Sequence, residues 1–225
     1  MKNFITIGLP SKGRLKDKSV AFFDNKGFKI LQNIKERNYF ASIENKPGIK
    51  IIYLHAKEII QRLGDGTIDL GISGLDLLNE SEKNLRDKII IKKKLNFGDA
   101  KLVVAVPNDW IDVQTIADLE EVAFDMRSRR NTRLRVATKY PNLTNNFLIS
   151  KGVTQYKLVY SLGATETYPF IGSSEIITDI TSTGKTLADN NLRVLKDGLI
   201  LKSAACLFTS KKRLSKINSF LKLII

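Results

Sequence analysis

Short apolar runs alternate with helical periodicity along almost the whole chain. Residues 4–9 have the alternation and β-branched content of a strand, and Pro10 closes it. A helix is predicted over 17–26, and residues 38–44 and 49–54 read as a hairpin turning at Lys46-Pro47-Gly48. A helix over 56–63, stopped by Gly64, precedes a buried strand over 68–72 and a short helix over 75–78 opened by Ser73-Gly74. The second half predicts strands over 101–106, 134–137 and 157–160, the longest helix over 115–130, a helix over 143–151 and a short helical segment over 165–171. Strands over 192–195 and 203–208 and a helix over 214–223 complete the pattern. This alternation predicts an α/β fold. The polar, glycine-containing residues 92–98 are read as the passage into a second lobe. The first lobe is then 1–97 plus 192–225 and the second 98–191, with the ligand expected in a cleft between them.

The densest chemistry lies at Glu175-Ile-Ile-Thr-Asp179-Ile-Thr-Ser-Thr183-Gly184-Lys185-Thr186. Ile176, Ile177 and Ile180 supply a strand, residues 181–183 a hydroxyl-rich turn, and a helix follows from Lys185. Gly184 permits close approach of a ligand to the backbone. Free N–H groups at a helix start favour phosphate, and Asp179 at the strand's end suits sugar hydroxyls. Together they point to a ribose 5-phosphate. Two plainer readings compete. Gly184-Lys185-Thr186 matches the end of a Walker A loop, but that motif needs glycine where Asp179 stands. Thr183 also suits an ordinary helix cap.

Composition narrows the classes. With 225 residues and 43% hydrophobic content, the chain is large enough for one or two packed domains. No apolar run reaches membrane-spanning length and no signal peptide is apparent, so a cytoplasmic protein without membrane contact is expected. Cys206 alone excludes an internal disulfide, and His55 alone argues against a histidine metal centre. No Gly-x-Ser-x-Gly elbow accompanies His55. The net charge of +14 fits polyanionic ligands, but the lysines are dispersed. The dense basic run 127–135 is explained by a helix capped at Thr115 and Asp118 and ending near Asn131, and it lacks the aromatics of single-strand nucleic-acid modules. Nucleic acid is therefore not expected as a partner. A two-lobed solute receptor would share the layers but lack the phosphate turn.

Several segments, in order along nearly the whole chain, resemble the ATP phosphoribosyltransferases of histidine biosynthesis. They are Leu9-Pro-Ser-Lys12-Gly-Arg14-Leu, Asp69-Leu-Gly-Ile-Ser73-Gly74-Leu-Asp76, Phe97-Gly98 with Lys101-Leu-Val-Val-Ala, Arg135-Val-Ala-Thr-Lys139-Tyr140, Gly163-Ala-Thr-Glu166, and residues 175–190. The resemblance implies a type II periplasmic-binding-protein-like core of two lobes. It also implies transfer of phosphoribosyl from phosphoribosyl pyrophosphate to N1 of ATP, with Mg²⁺ held mainly by the pyrophosphate rather than by protein alone. The length resembles the short form, which works with a regulatory subunit related to histidyl-tRNA synthetase and implies a homodimer within a hetero-oligomer.

By this resemblance Thr181, Ser182, Thr183, Gly184, Lys185 and Thr186 hold the 5-phosphate, with Asp179 and Glu175 on the ribose side. Glu166 supports the ribose or an Mg²⁺-bound water, or only the dipole of its own helix. Lys12 and Arg14 are expected at ATP or pyrophosphate, and Asp69, Ser73 and Gly74 at the nucleotide, although Asp69 also suits a structural turn. Lys139 and Tyr140 are expected to face the ligand, and Arg37 is a weaker pyrophosphate candidate. Two departures stand out. His55 is expected at ATP or pyrophosphate as a weaker, pH-dependent contact, with Arg37 or Lys57 compensating, or else as a structural histidine. It occupies a position where the family commonly has arginine, whose fork clamps phosphate in a way imidazole does not. Thr178 precedes Asp179, so only one acid adjoins the turn.

Overall fold

The computed structural model describes residues 4–32 and 39–225. The chain divides into two compact units, Met1–Gly98 with Ala204–Ile225, and Asp99–Ser203.

Unit 1 contains strands β1 (Ile5–Pro10), β2 (Ile30–Gln32), β3 (Phe40–Ile43), β4 (Lys46–Leu54), β5 (Leu70–Gly74) and β6 (Ile89–Lys94), with α1 (Gly13–Asp24), α2 (Ala56–Asp65), α3 (Leu75–Glu80) and α4 (Lys83–Arg86) between them. Unit 2 contributes β7 (Ala100–Pro107), α5 (Ile116–Arg130), β8 (Leu134–Thr138), α6 (Pro141–Ser150), β9 (Tyr156–Tyr160), β10 (Ile176–Thr181), α7 (Lys185–Asp189) and β11 (Leu192–Ser203). The chain then re-enters unit 1 as β12 (Ala205–Ser210) and α8 (Leu214–Ile224).

The unit 1 sheet runs β2-β3-β4-β1-β5-β12-β6, with β4, β1 and β5 parallel at its centre. Alternation gives each strand two apolar faces. Ile7, Leu9, Ile51 and Leu207 pack with Phe23 of α1 and with Ile217 and Phe220 of α8. Leu54 and Phe208 pack with Ile59, Ile60 and Leu63 of α2 on the other face. The unit 2 sheet runs β11-β7-β10-β8-β9, with β10, β8 and β9 parallel and β7 antiparallel. Val104, Val136 and Ile176 pack with Ile116 and Leu119 of α5 and Leu148 of α6. Ala105, Ala137 and Ile177 pack with Leu187 of α7. Among the described residues no helix is long and apolar enough to cross a membrane.

Four expectations are corrected. The hairpin turns at Glu44-Asn45, where Asn45 takes φ +57°, and Pro47 and Gly48 lie inside β4. Ile43 pairs with Lys46, leaving a two-residue turn whose left-handed residue asparagine tolerates. α2 continues through Gly64 and stops at Gly66, which has φ +79°. Gly64 is instead a contact point, since a Cβ there would lie 2.0 Å from Leu85 Cδ1. β6 occupies part of the supposed linker. Its three lysines mask a strand that forms a sheet edge paired only through β12. The return to unit 1 comes at Ala204 rather than Leu192. β11 stays paired with β7 as far as Ser203 through two register shifts, and Asp197 accepts a bond from Ile116 N at 2.8 Å. The bulge breaks the alternation and hides the second half of this strand from sequence reading.

Candidate active site

In unit 2 the carboxyl ends of β10, β8 and β9 carry the expected polar residues. β10 leads through Asp179, Ile180 and Thr181 directly into the hydroxyl turn, and α7 follows from Gly184. Ser182, Thr183, Lys185 and Thr186 are exposed. Gly184 adopts φ +79°, with open space where a Cβ would stand. The turn is braced from within, since Gly184 N donates to Thr181 Oγ1 at 2.8 Å and Lys185 N to Thr183 Oγ1 at 3.3 Å. Thr183 thus braces the turn in front of α7, whose cap position is the left-handed Gly184 itself. A Gly184→Val variant is expected to fold, because no atom occupies the space of a Cβ, but with the turn relaxed out of its strained left-handed form, which binding must then restore. A β-branched residue at this φ costs about 1–3 kcal/mol, which translates into about a ten- to hundredfold higher KM for phosphoribosyl pyrophosphate. Steady-state kinetics and a thermal melt check both halves of that expectation.

Asp179 is half-buried, and its Oδ1 accepts from Ile180 N at 2.8 Å. Burial raises its pKa above the ordinary aspartate value; the Ile180 hydrogen bond and nearby Lys139 oppose the rise, and nearby Glu166 adds to it. Three of the expected residues therefore come together electrostatically. Lys139 follows β8 and Glu166 sits in a 3₁₀ turn, Thr165–Thr167, after β9. Both are half-buried.

Behind them is a group that sequence reading missed. Thr138, Thr144 and Thr178 are fully buried. Their hydroxyls lie 3.1 Å (138 to 144), 2.6 Å (144 to 178) and 2.7 Å (178 to 138) apart. Threonine is an ordinary strand residue, and these positions have no local spacing that marks them.

Other expected residues are assigned differently. Glu175 precedes β10, so most of that strand, on the order of 15–20 Å, separates it from the hydroxyl turn. Its carboxylate is committed to Arg135, accepting from the backbone N at 2.6 Å, from Nε at 3.0 and 3.2 Å and from Nη2 at 2.6 Å. It braces the amino ends of β8 and β10, four residues before Asp179. Tyr140 is buried at the start of α6, so its ring belongs to the interior.

In unit 1 the parallel strands again end together. Lys12 and Arg14 are exposed beyond β1, and His55 follows β4, whose Leu54 is in register with Pro10. Neither Lys12, which precedes α1, nor Arg14 forms an ion pair among the described residues, and both are exposed, which leaves their cations available to an anion. His55 instead caps α2, its Nδ1 accepting from Lys57 N at 3.3 Å. Ser73 is buried and donates to Ala56 O at 2.8 Å, tying β5 to α2. Gly74 starts α3 where a Cβ would lie 2.3 Å from Asp76 Oδ1. Asp69 precedes β5, at the other end of the strand from Gly74, and its carboxylate is committed within unit 1. It is buried, and it accepts from Thr6 N and Lys216 Nζ, both at 2.8 Å, with Arg213 Nε at 3.8 Å. Arg37 lies outside the described residues. A concavity of about 880 Å³ along α5, lined by Trp110 and Phe124 among others, holds Glu175 but none of residues 181–186, so volume does not mark this site.

The profile of the ATP phosphoribosyltransferase family matches residues 55–225. The ATP phosphoribosyltransferases of Brucella melitensis and Brucella anthropi are each 47% identical over 209 residues, spanning 92% of this chain and 90% of theirs. Among solved structures, the ATP phosphoribosyl transferase (HisG:HisZ) complex from Thermotoga maritima aligns with a TM-score of 0.73 at 25% identity, covering 98% of this chain and 96% of that one. The GluR0 ligand-binding core complexed with L-glutamate aligns with a TM-score of 0.58 at 10% identity, covering 98% and 90%. That likeness, with others to solute-binding proteins, shows the type II periplasmic-binding-protein-like fold and nothing of the ligand.

Proposed function

Because this chain belongs to the ATP phosphoribosyltransferase family, we propose that the turn of residues 181–186 holds the 5-phosphate of phosphoribosyl pyrophosphate and that Asp179 serves its ribose. The enzyme transfers phosphoribosyl from phosphoribosyl pyrophosphate to N1 of ATP, giving phosphoribosyl-ATP and pyrophosphate, the first step of histidine biosynthesis. The single observation that carries the site reading is Asp179 at the end of β10, running straight into an exposed hydroxyl turn held at a left-handed Gly184.

Glycosyl transfer of this kind builds positive charge on the ribose ring as pyrophosphate departs. Fixed groups placed for that charge supply catalysis without a protein nucleophile. Asp179 faces the ring and answers its charge. Lys139 offsets the negative charge that Asp179 and Glu166 concentrate there, and it is available to the leaving group. Lys12 and Arg14 supply cations for the phosphates of ATP or for the pyrophosphate. Mg²⁺ accompanies the substrate's pyrophosphate, since it favours phosphate oxygens and water. Among the described residues no group of three or more His, Cys, Asp or Glu gathers to hold a metal, and the exposed turn leaves room for an ion carried in on substrate. Glu166 is suited to accept from a water on that ion.

The Thermotoga maritima relative is a complex of HisG with HisZ. That likeness supports a regulatory subunit as partner of this chain. We further propose, from the family resemblance, that this subunit resembles histidyl-tRNA synthetase and that the chain works as a homodimer in the cytoplasm.

The test mixes the purified chain with ATP, phosphoribosyl pyrophosphate and Mg²⁺, with and without the candidate regulatory subunit. Formation of phosphoribosyl-ATP and pyrophosphate is expected. No product under either condition would reject the reading.

A further inference from the structure

Thr138 and Thr178 are paired residues on the adjacent parallel strands β8 and β10. Successive side chains on a strand point to opposite faces. Ile176 and Val136 pack with α5 and α6, and Ile177 and Ala137 pack on the α7 side. The alternation therefore turns Thr138 and Thr178 towards α6, where Thr144 meets them, and turns Asp179 towards α7. Lys139 is the residue directly after β8, near enough for its charge to act on Asp179.

The hydroxyl bonds behind them form a closed circuit. Thr178 donates to Thr138 at 2.7 Å. Each hydroxyl has one proton, so Thr138 then donates to Thr144 at 3.1 Å and Thr144 to Thr178 at 2.6 Å. Thr138 Oγ1 also accepts from Tyr140 N at 2.9 Å, which fixes the turn containing Lys139. Valine at any of these positions would fill the same space and break the circuit. Packing alone therefore gives no reason for hydroxyls at all three.

We propose that Thr138, Thr144 and Thr178 are positioning residues whose hydroxyl ring fixes Lys139 and Asp179 at the spacing the phosphoribosyl donor requires. The ring never touches substrate. It acts from the far face of the sheet by holding the two strand ends and the first turns of α6 in register. This rests on the reading of Asp179 as a phosphoribosyl-site residue.

The test compares Thr178→Val, Thr178→Ser and Asp179→Asn, alone and in the Thr178→Val/Asp179→Asn double variant, in the full enzyme under saturating ATP. Misplacement of a positioned group costs about ten- to a hundredfold, so kcat/KM for phosphoribosyl pyrophosphate is expected to fall by that much in Thr178→Val. The KM for ATP is expected to hold, and serine, which keeps the hydroxyl, to restore the rate. Once Asp179 is gone only the placement of Lys139 remains to be lost, so the double variant is expected to fall by clearly less than the product of the two single losses. A folded Thr178→Val enzyme with wild-type kcat/KM would overturn the proposal, as would a loss that multiplies fully with that of Asp179→Asn. Should Thr178→Val not fold, Thr144→Val opens the ring from the α6 side, and the same two outcomes apply. An inactive wild type, or an unimpaired Asp179→Asn, would instead sink the site reading itself.

Discussion

Asp179→Asn is expected to lower kcat/KM for phosphoribosyl pyrophosphate by about 10²–10³-fold, the usual cost of removing a fixed electrostatic group, while leaving the protein as stable as wild type or more so. Asparagine preserves shape and one acceptor for Ile180 N, which now bonds Oδ1 at 2.8 Å. What disappears is the charge, which the fold itself disfavours. Burial is the largest cause of the raised Asp179 pKa, and Glu166 adds to it. The sign follows from that direction. A carboxyl whose folded pKa is raised gives its stability when protonated, and loses it as pH climbs from the ordinary aspartate range through the raised value. The wild type therefore carries the cost of an ionised Asp179 at neutral pH, and the asparagine variant does not. Thermal midpoints of the two proteins should diverge in the variant's favour as pH rises through that window. Activity should show the opposite face of the same property. Wild-type kcat/KM should fall on acidification at a higher pH than an unperturbed aspartate would give, and the variant should lack that limb. An Asp179→Asn enzyme that is markedly less stable yet fully active would contradict this account. Stability given up for a charge at the reacting centre is a common trade in enzymes.

Asp69→Ala is expected to cost about 3–5 kcal/mol of stability, the usual penalty when one partner of a buried ion pair is removed. Its carboxylate has 3% side-chain exposure and Lys216 has 20%. Lys216 Nζ also donates to Phe4 O at 2.6 Å, so Asp69, Lys216 and Thr6 N join β5, β1 and α8 at one point. Removal leaves an ammonium without its counter-ion and a β1 amide without its acceptor. Asp69→Asn, which keeps an acceptor, should lose less. Urea unfolding monitored by far-ultraviolet circular dichroism measures the cost, and kinetics at low temperature separate it from function. The folded fraction should keep a near-wild-type KM for ATP. A stable Asp69→Ala protein with a weakened ATP KM would restore the nucleotide role that sequence reading assigned to this residue.

The contrast between Asp179 and Asp69 shows what the sequence can disclose. The local setting of Asp179 is legible because its elements are neighbours in the chain: an apolar strand before it, a hydroxyl turn after it and a glycine at the bend. The same holds for the cap of α5, where Asp118 accepts from Thr115 N at 2.7 Å and Thr115 Oγ1 accepts from Asp118 N. Asp69 has an equally suggestive local setting, Asp-Leu-Gly-Ile-Ser-Gly, but its decisive partner Lys216 is 147 residues away. The partner of Glu175 is hidden in the same way, with Arg135 40 residues before it. The threonine ring combines both obstacles, since its members look like unremarked strand and helix residues until the register of β8 and β10 brings them together. Among the strands, β7 and β8 are visible as apolar runs, whereas β6 ends in three lysines and β11 is broken by a bulge. A solvated sheet edge and an irregular register both erase the period on which strand reading depends.

The central claim is that residues 181–186 grip the terminal phosphate of the sugar. Backbone amide chemical shifts, followed by nuclear magnetic resonance while ribose 5-phosphate is added to the isotopically labelled enzyme, test it most directly. Saturable shifts largest at Ser182, Thr183, Gly184 and Thr186, with Asp179 moving alongside and the whole response abolished in Gly184→Val, are the predicted result. Saturable binding that leaves those amides in place and perturbs another part of the chain would contradict it.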